Sequence, residues 1–456
     1  MNEKNESNEG TIVIWTVASE GFFLIINDIL NSVGNSSGIS IQVENKQRWE
    51  LDDALKDFEL ENLPDALIVD SASVRATVAK RPEIFLTLND FIDPSYFFEC
   101  AVTAVTSEGG FVYAFPLLCS PIAMYYRSGL LPEDISSCTE WEIFLETAKD
   151  WVQSEFPEKE LFPCTRTATI AMAQSLGRLY YNEKGEISPD SAEKVFEFYV
   201  YLKEEGFIFD GIYDSSFVND LLSEDRLFCV IGNLAFRNNI EEYSPHRDWK
   251  VMRMPKFNAD DREASFGGTA LMIIDKERDL VNYDFLQALM DNADKISEIA
   301  SSNWLIPVFD DCKTNIVDYN WMESNNIISF FTDIGMDAAP IYNGIYSSQL
   351  NSSFYNNAIE VIMSCDLSTA IQNFERDCLY YYELGVAQED KLDYIIITQE
   401  PKKREYYKYE YFSNNGMIVM AHYVNGVERE IYGYNYKPFF FGKHWESDYY
   451  DIVYER

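Results

Sequence analysis

The chain has 456 residues, more than one hydrophobic core ordinarily supports, so it holds at least two compact units and cannot be a one-core miniprotein. Hydrophobic residues make up 47% and charged residues 25%, with 21 Gly and 15 Pro, a globular composition that excludes wholesale disorder. Lys plus Arg number 36 against 76 Asp plus Glu, and the net charge of −40 repels a phosphate backbone, which excludes nucleic acid as a partner.

The opening MNEKNESNEG has neither the positive nor the apolar region of a signal peptide and reads as a polar tether over residues 1–10, either as on a chain cut behind a signal sequence or as an ordinary frayed cytosolic terminus. TIVIW, Thr11 to Trp15, is a continuous β-branched run of the kind buried on both sheet faces. Phe22, Ile25, Ile26 and Ile29 then repeat at helical spacing, which predicts a helix from about Ser19 to Val33 ended by the loop GNSSG. Ile39 to Val43 reads as strand, Trp49 to Leu60 as an acidic helix and Ala66 to Val69 as strand, delivering Asp70, Ser71 and Ser73 to a strand's carboxyl end. Such alternation predicts a parallel, doubly wound sheet, which binds ligands outside the carboxyl ends of its strands.

Val112 to Phe115 and Ile122 to Arg127 flank Pro116 and Pro121, two extended segments with a bend, as where a chain crosses between lobes. The longest apolar stretch, Ala114 to Tyr126, is broken by Pro116, Ser120 and Pro121 and falls short of the roughly 18 residues that span a bilayer. Thr139 with Glu142 predicts a capping box ahead of WEIFLETAKDWV, and Ser188-Pro189 opens a helix that stops at Gly206. SFGGTALMII, Ser265 to Ile274, reads as a Gly-Gly turn leading into a strand, with helical patterns continuing to about Leu384. From Lys391 onward 9 basic and 10 acidic residues nearly cancel, so the charge lies upstream and a boundary falls here. The tail reads as a β meander: YYKYEYF, MIVMAHY and EREIYGYNY, with hairpin turns at Asn415-Gly416 and Asn425-Gly426.

Catalytic signatures are scarce. His246, His422 and His444 are isolated, and no Walker A or G-x-G-x-x-G occurs. A G-x-S-x-G match at Gly34 to Gly38 follows a helix and precedes a strand, the reverse of a nucleophile elbow. Eight cysteines show no CxxC pair, so spacing gives neither a zinc site nor a disulfide framework, and most read as small buried hydrophobes. Aromatic residues reach 15%, with 30 Tyr, 31 Phe and 8 Trp; flat rings that stack on sugar C–H faces, with polar groups beside them, make a carbohydrate site, although most of these rings serve packing.

The ordered landmarks TIVIW, DALIVDSAS, LTLNDFID, YAFPLLCSPIAMYYRSGLL, ISPDSAEKVFEFYVYLKEEGF, SEDRLFCVIGN, FGGTALMI, NWLIPVF and APIYNGIYSSQLNSSFYNNAIEVIMSCDLSTAIQNF span about Thr11 to Leu384. In that order they resemble the extracellular solute-binding proteins of ABC importers, specifically the carbohydrate-binding, maltose-binding-like group. The resemblance implies an α/β, two-lobe periplasmic-binding-protein-like fold with a hinge, to which a small C-terminal antiparallel β appendage is added. Segment 11–120 begins the first lobe, 121–265 is a mainly helical second lobe, 266–384 carries the crossover and closing helices, and 391–456 is the appendage. It further implies a mono- or oligosaccharide held between the lobes by Trp15, Asp70, Ser71, Tyr126, Phe266, Gly267, Gly268, Trp304 and Tyr342. The resemblance also implies ABC permease subunits as partners, a monomer without cofactor or catalytic residue, and a place outside the cytoplasm on a lipid anchor.

Three departures qualify the resemblance. Phe266 stands where the family often has Trp, Asn233-Leu234 where an aromatic often meets sugar, and Asp225, Arg226 and Phe228 where a Gly-Lys-Ala-Ala-Met pattern is usual. The net charge suits a neutral ligand, while Arg127, Arg166, Arg178 and Arg237 are available for a local basic pocket. A carbohydrate-active hydrolase with a β accessory module and a surface adhesin on the same fold are the competing readings.

Overall fold

The computed structural model describes residues 11–107, 110–152, 159–177, 190–208, 215–246, 248–276, 279–309, 327–364, 366–388, 392–399, 418–423, 428–431, 435–436 and 452–453. Strand β1 (Thr11–Thr16) buries Ile12, Ile14 and Thr16 and leaves Val13 and Trp15 half-buried. Helix α1 (Glu20–Ser37) runs four residues past the predicted end. GNSSG is therefore its last turn rather than a loop. Gly34 lets strand β2 (Ser40–Asn45) pack close, because a Cβ there would meet Ile39 O at 2.6 Å, and Gly38 ends the helix at φ 72° with its N–H on Gly34 O. Helix α2 (Arg48–Asp57) starts with a capping box of Gln47 and Glu50. Strand β3 (Ala66–Asp70) follows, then a 3-10 turn (Ser71–Ser73), α3 (Val74–Val78) and α4 (Glu99–Thr103).

Strand β4 (Phe115–Arg127) is one continuous strand where the sequence suggested two segments, with its register shifting between Pro116 and Leu118 and between Cys119 and Pro121. Proline has no N–H for the ladder, so the two prolines fall at these irregularities. Helices α5 (Trp141–Asp150), α6 (Arg166–Ser175), α7 (Asp190–Glu204) and α8 (Ser215–Ser223) lead to β5 (Cys229–Asn233), α9 (Phe236–Tyr243) and β6 (Trp249–Met252). The Thr139/Glu142 capping box does not form: Glu140 is the N-cap and makes no side-chain cap bond. Backbone pairing decides the start, since Lys256 N donates to Thr139 O and Trp141 N to Lys256 O, holding the chain extended through Glu140. The predicted Ser188-Pro189 start lies outside the described residues, while Gly206 stops the α7 segment at φ 75°.

Strand β7 (Ser265–Ile273) includes both glycines of the expected Gly-Gly turn, so the pair makes no turn ahead of it. It inserts between β3 and β4, antiparallel to each, which makes the sheet mixed rather than parallel throughout: its parallel pairings are β2–β1 and β1–β3. Helices α10 (Asp279–Asp291) and α11 (Ala293–Ser302), strand β8 (Ile306–Pro307) and α12 (Ile327–Asp337) follow, then α13 (Ser347–Ser364) and α14 (Leu367–Gln388). The first lobe is the sheet β2-β1-β3-β7-β4 with β8, covered by α1 and α11. In the second, the latter half of β4 pairs with β5 and β6, and α6, α7, α13 and α14 pack together. Tyr125 shows how tightly this lobe closes. It is fully buried against Phe236 and Phe331, with its O–H donated to Asn233 O.

The tail forms an antiparallel sheet ordered β11-β10-β9, from β9 (Leu392–Gln399), β10 (Ile418–Tyr423) and β11 (Glu428–Ile431), and a separate pair, β12 (Asn435–Tyr436) with β13 (Ile452–Val453). β9 was not read from the sequence. YYKYEYF and both Asn-Gly dipeptides lie outside the described residues.

Candidate functional site

β4 joins the lobes and locates the seam between them. Leu118 and Cys119 pair with Pro307 and Ile306 of the first lobe, and three residues on Ile122 pairs with Asn233 of the second. Two other crossings are tied at the same level by one buried amide: Gln174 Oε1 accepts from Ser265 N at 3.0 Å and its Nε2 donates to Ala339 O at 3.2 Å. Asn233, where the family's aromatic was expected, instead donates to Ser120 Oγ at 3.0 Å and clips β5 to the crossover.

Five of the sequence-predicted site residues gather on the first-lobe side. Asp70 lies opposite Thr269 in the β3–β7 register, and the buried Ser71 accepts a 2.9 Å bond from Gly268 N on its Oγ. Gly267 (φ 74°) faces Ser71 Oγ and Ala104, while Gly268 (φ 150°) faces Leu118 O, so protein atoms fill the space a Cβ would take at either position. Tyr342 is half-buried between Ile341, whose N–H donates to Thr103 Oγ1 at 2.9 Å, and Asn343, whose Nδ2 donates to Ala104 O at 3.1 Å. α13 begins against the Ser71–Ser73 turn. Asp70 is exposed to solvent on one side, yet the protein packed around its other side pushes its carboxyl above the ordinary range, against the hydrogen bond from Ala72 N and the charge of Arg48.

Trp304 lies two residues before Ile306, at the seam. Its backbone is left-handed, φ 60°, a conformation that a bulky residue holds only when its surroundings enforce it. From the second lobe, the Arg237 guanidinium stacks on the Trp304 ring with its carbon 3.4 Å from the centroid, and Arg237 is itself buried. Phe266 is half-buried next to Ser265, which pairs with Pro121.

The remaining two stand apart. Trp15 occupies the carboxyl end of β1, but the Lys46 ammonium lies over its ring at 4.6 Å. Tyr126 is buried in the second lobe between Cys229 and Lys250, four residues and about 13 Å along the strand from Ile122. On that side of the seam Arg237 faces the Trp304 ring, and the sequence offers it only as one of four arginines. The others are differently placed: Arg127 is bonded to Asp225 and Asp248, Arg166 Nη2 donates to Ser348 O at 3.3 Å, and Arg178 lies outside the described residues. Elsewhere, an open polar depression on the outer face of α1 and α11 is lined by Asp28, Asn31, Ser32, Asn35, Ser36 and Lys295. Among the described residues no His, Cys, Asp and Glu cluster has metal-binding arrangement, and no helix is long and apolar enough to cross a membrane.

Two α/β lobes, joined by crossing strands and facing each other over an aromatic residue, make a two-lobe fold like that of the maltose-binding proteins. The chain belongs to the bacterial extracellular solute-binding protein family, whose model matches residues 31–322. Solved structures with the same fold include the sugar-binding protein MalE of Xanthomonas citri, at 12% identity and TM-score 0.68 over 83% of this chain and 100% of that one. A cyclo/maltodextrin-binding protein complexed with maltotetraose matches at 13% identity and TM-score 0.67, over 83% and 99%. An extracellular solute-binding protein from Staphylococcus aureus in complex with maltose matches at 12% and 0.65, over 82% and 98%. A search of curated protein sequences returns no match. The family and these neighbours are binding proteins rather than enzymes.

Proposed function

We propose that this chain is the substrate-capturing component of an ABC importer: it closes its lobes over a mono- or oligosaccharide and delivers it to a membrane permease. The observation that carries this reading is the Trp304 ring at the seam, faced from the opposite lobe by Arg237 at 3.4 Å. An aromatic face supplies the stacking surface for sugar C–H groups, and Asp70 supplies an acceptor for hydroxyls on the same lobe. Phe266, Tyr342 and the backbone at Ser71, Gly267 and Gly268 complete the first-lobe wall, and Trp15 and Tyr126, which stand apart from it, are left out of the proposed site. Function then needs no chemistry. A ligand that touches both lobes binds the closed arrangement better than the open one and shifts the population toward it by that difference. The closed form, presented by a monomer held to the outer membrane face by a lipid anchor, is what a permease would read.

The test is a thermal-shift screen against mono- and oligosaccharides, maltose and maltotetraose among them, with amino acids and peptides as controls and calorimetry on each hit. A ligand at 100 times its dissociation constant stabilises the fold by about 2.7 kcal/mol. A saccharide that raises the melting midpoint and is recovered unchanged supports the proposal. Hydrolysis of the sugar, or a response confined to amino acids or peptides, overturns it.

A further inference from the structure

We infer that Cys100 and Cys119 form a redox modification site, a thiol pair that closes to a disulfide beside the lobe crossover when the chain meets a dialkyl disulfide. The two sulfurs lie 3.8 Å apart, Cys100 on α4 and Cys119 on β4, and both residues are buried. The other described cysteines with side-chain contacts face oxygen: Cys138 approaches Thr147 Oγ1 at 3.6 Å and Cys164 approaches Thr169 Oγ1 at 3.8 Å. A disulfide requires about 2.05 Å between sulfurs, so the pair must close by roughly 1.8 Å, a distance that side-chain rotation can supply.

The neighbouring atoms divide the roles. Cys100 Sγ can turn its one proton to Gly335 O at 3.4 Å or to Cys119 Sγ, while Cys119 Sγ lies 3.3 Å from the Ser265 hydroxyl, which can donate to a thiolate there. The hydrogen bond from Cys100 is the main influence lowering the Cys119 thiol, helped by Ser265 and Ser120 N against the effect of burial, while the same bond and burial raise Cys100. Cys119 is thus the attacking sulfur. Its thiolate attacks the dialkyl disulfide, forming a mixed disulfide and expelling one thiolate; Cys100 then loses its proton and attacks the sulfur on Cys119, expelling the second. Two protein thiols become one S–S bond, and their two electrons and two protons appear as two small-molecule thiols. Disulfide oxidants of this class belong to the compartments in which an extracellular family works.

The position gives the bond a consequence. Cys119 pairs with Gly268 and Ile306 of the first lobe, and β4 changes partners to the second lobe at Ile122. A bond to α4 fastens the crossover strand to the first lobe at the last residues before it leaves. To test this, the chain is unfolded in urea, refolded in buffer containing reduced and oxidised glutathione, then quenched with N-ethylmaleimide under denaturing conditions, so that every free thiol, buried ones included, is alkylated, and weighed intact. Of the 8 cysteines, two should be protected from alkylation, and a non-reducing digest should yield a Cys100–Cys119 cross-linked peptide. Cys100→Ser and Cys119→Ser should each abolish that peptide. Eight alkylated cysteines in the refolded wild type, or a cross-link joining any other pair in place of this one, would overturn the assignment, and neither readout depends on whether the ligand is a sugar.

Discussion

Arg237 and Trp304 come from opposite lobes and meet face to face, the guanidinium carbon 3.4 Å from the indole centroid. A contact of this type contributes about 0.5–2 kcal/mol, more as it is desolvated. It therefore biases the ligand-free protein toward closure and covers the surface on which a sugar would stack. A bound ligand must replace the guanidinium on that face or use the other one.

Trp304→Ala should leave the circular dichroism spectrum unchanged and weaken saccharide binding by about 1 kcal/mol or more, roughly fivefold in Kd. Arg237→Ala removes the lobe-to-lobe contact without removing the ring. In solution scattering the ligand-free variant should show a larger radius of gyration than wild type. Equal radii would mean that the contact does not hold the lobes together.

The backbone at Trp304 supports a separate test. At φ 60° an L-residue pays about 1–2 kcal/mol that glycine does not. Trp304→Gly should accordingly be at least as stable in urea as Trp304→Ala, reversing the usual order of these residues outside strained positions. A glycine variant clearly less stable than the alanine variant would show that this backbone strain is not significant.

Much of the first lobe was legible because its signals are local. TIVIW, the helix stripe through Phe22 and Ile29, and DALIVDSAS each fold as their periodicity suggests, and NWLIPVF brought Trp304 to notice. What escaped was long-range. Nothing in SFGGTALMII shows that it inserts between β3 and β4, so Gly267 and Gly268 read as a turn, whereas their missing side chains make room for Ser71 and Leu118. Arg237 sits in FRNNIEEY, which looks like an ordinary solvated helix face, and its partner is 67 residues away in the other lobe. At Thr139, pairing with Lys256 overrode a good local cap.

Asp70 predicts a trade between stability and binding. Its carboxyl is raised, chiefly by burial, so at neutral pH the folded state carries a charged group at a cost that the unfolded chain does not pay. Asp70→Asn keeps an oxygen for Ala72 N and removes the charge. It should raise stability in urea at pH 7 while weakening saccharide binding, because an ionised acceptor is lost. Wild-type affinity should fall as pH drops into the raised range above 3.8, and the variant's affinity should not. A flat wild-type profile through that range would remove Asp70 from the site.

Asp225 explains a departure from the family pattern. It occupies a left-handed position, φ 57°, which Asp tolerates better than most residues and where the related pattern has glycine. The side chain repays that conformation by receiving Arg127, Lys159 and His246, two of them almost fully buried. Burial pushes its carboxyl up, but the hydrogen bonds and charges of Lys159 and Arg127 outweigh that and leave it below the usual range. The sign follows: with its folded pKa depressed, Asp225 contributes stability that is fully present above the unfolded value near 3.8 and is lost as pH falls through the folded one. Asp225→Gly would suit the backbone but take one carboxylate from two buried cations, of which Arg127 keeps Asp248, a loss of up to about 3–5 kcal/mol at pH 7. Urea unfolding of wild type and Asp225→Gly should therefore differ by several kcal/mol at pH 7 and converge as the pH is lowered below about 4. A difference that stays constant into acid would assign the cost to packing, and the ion-pair account of this position would fail.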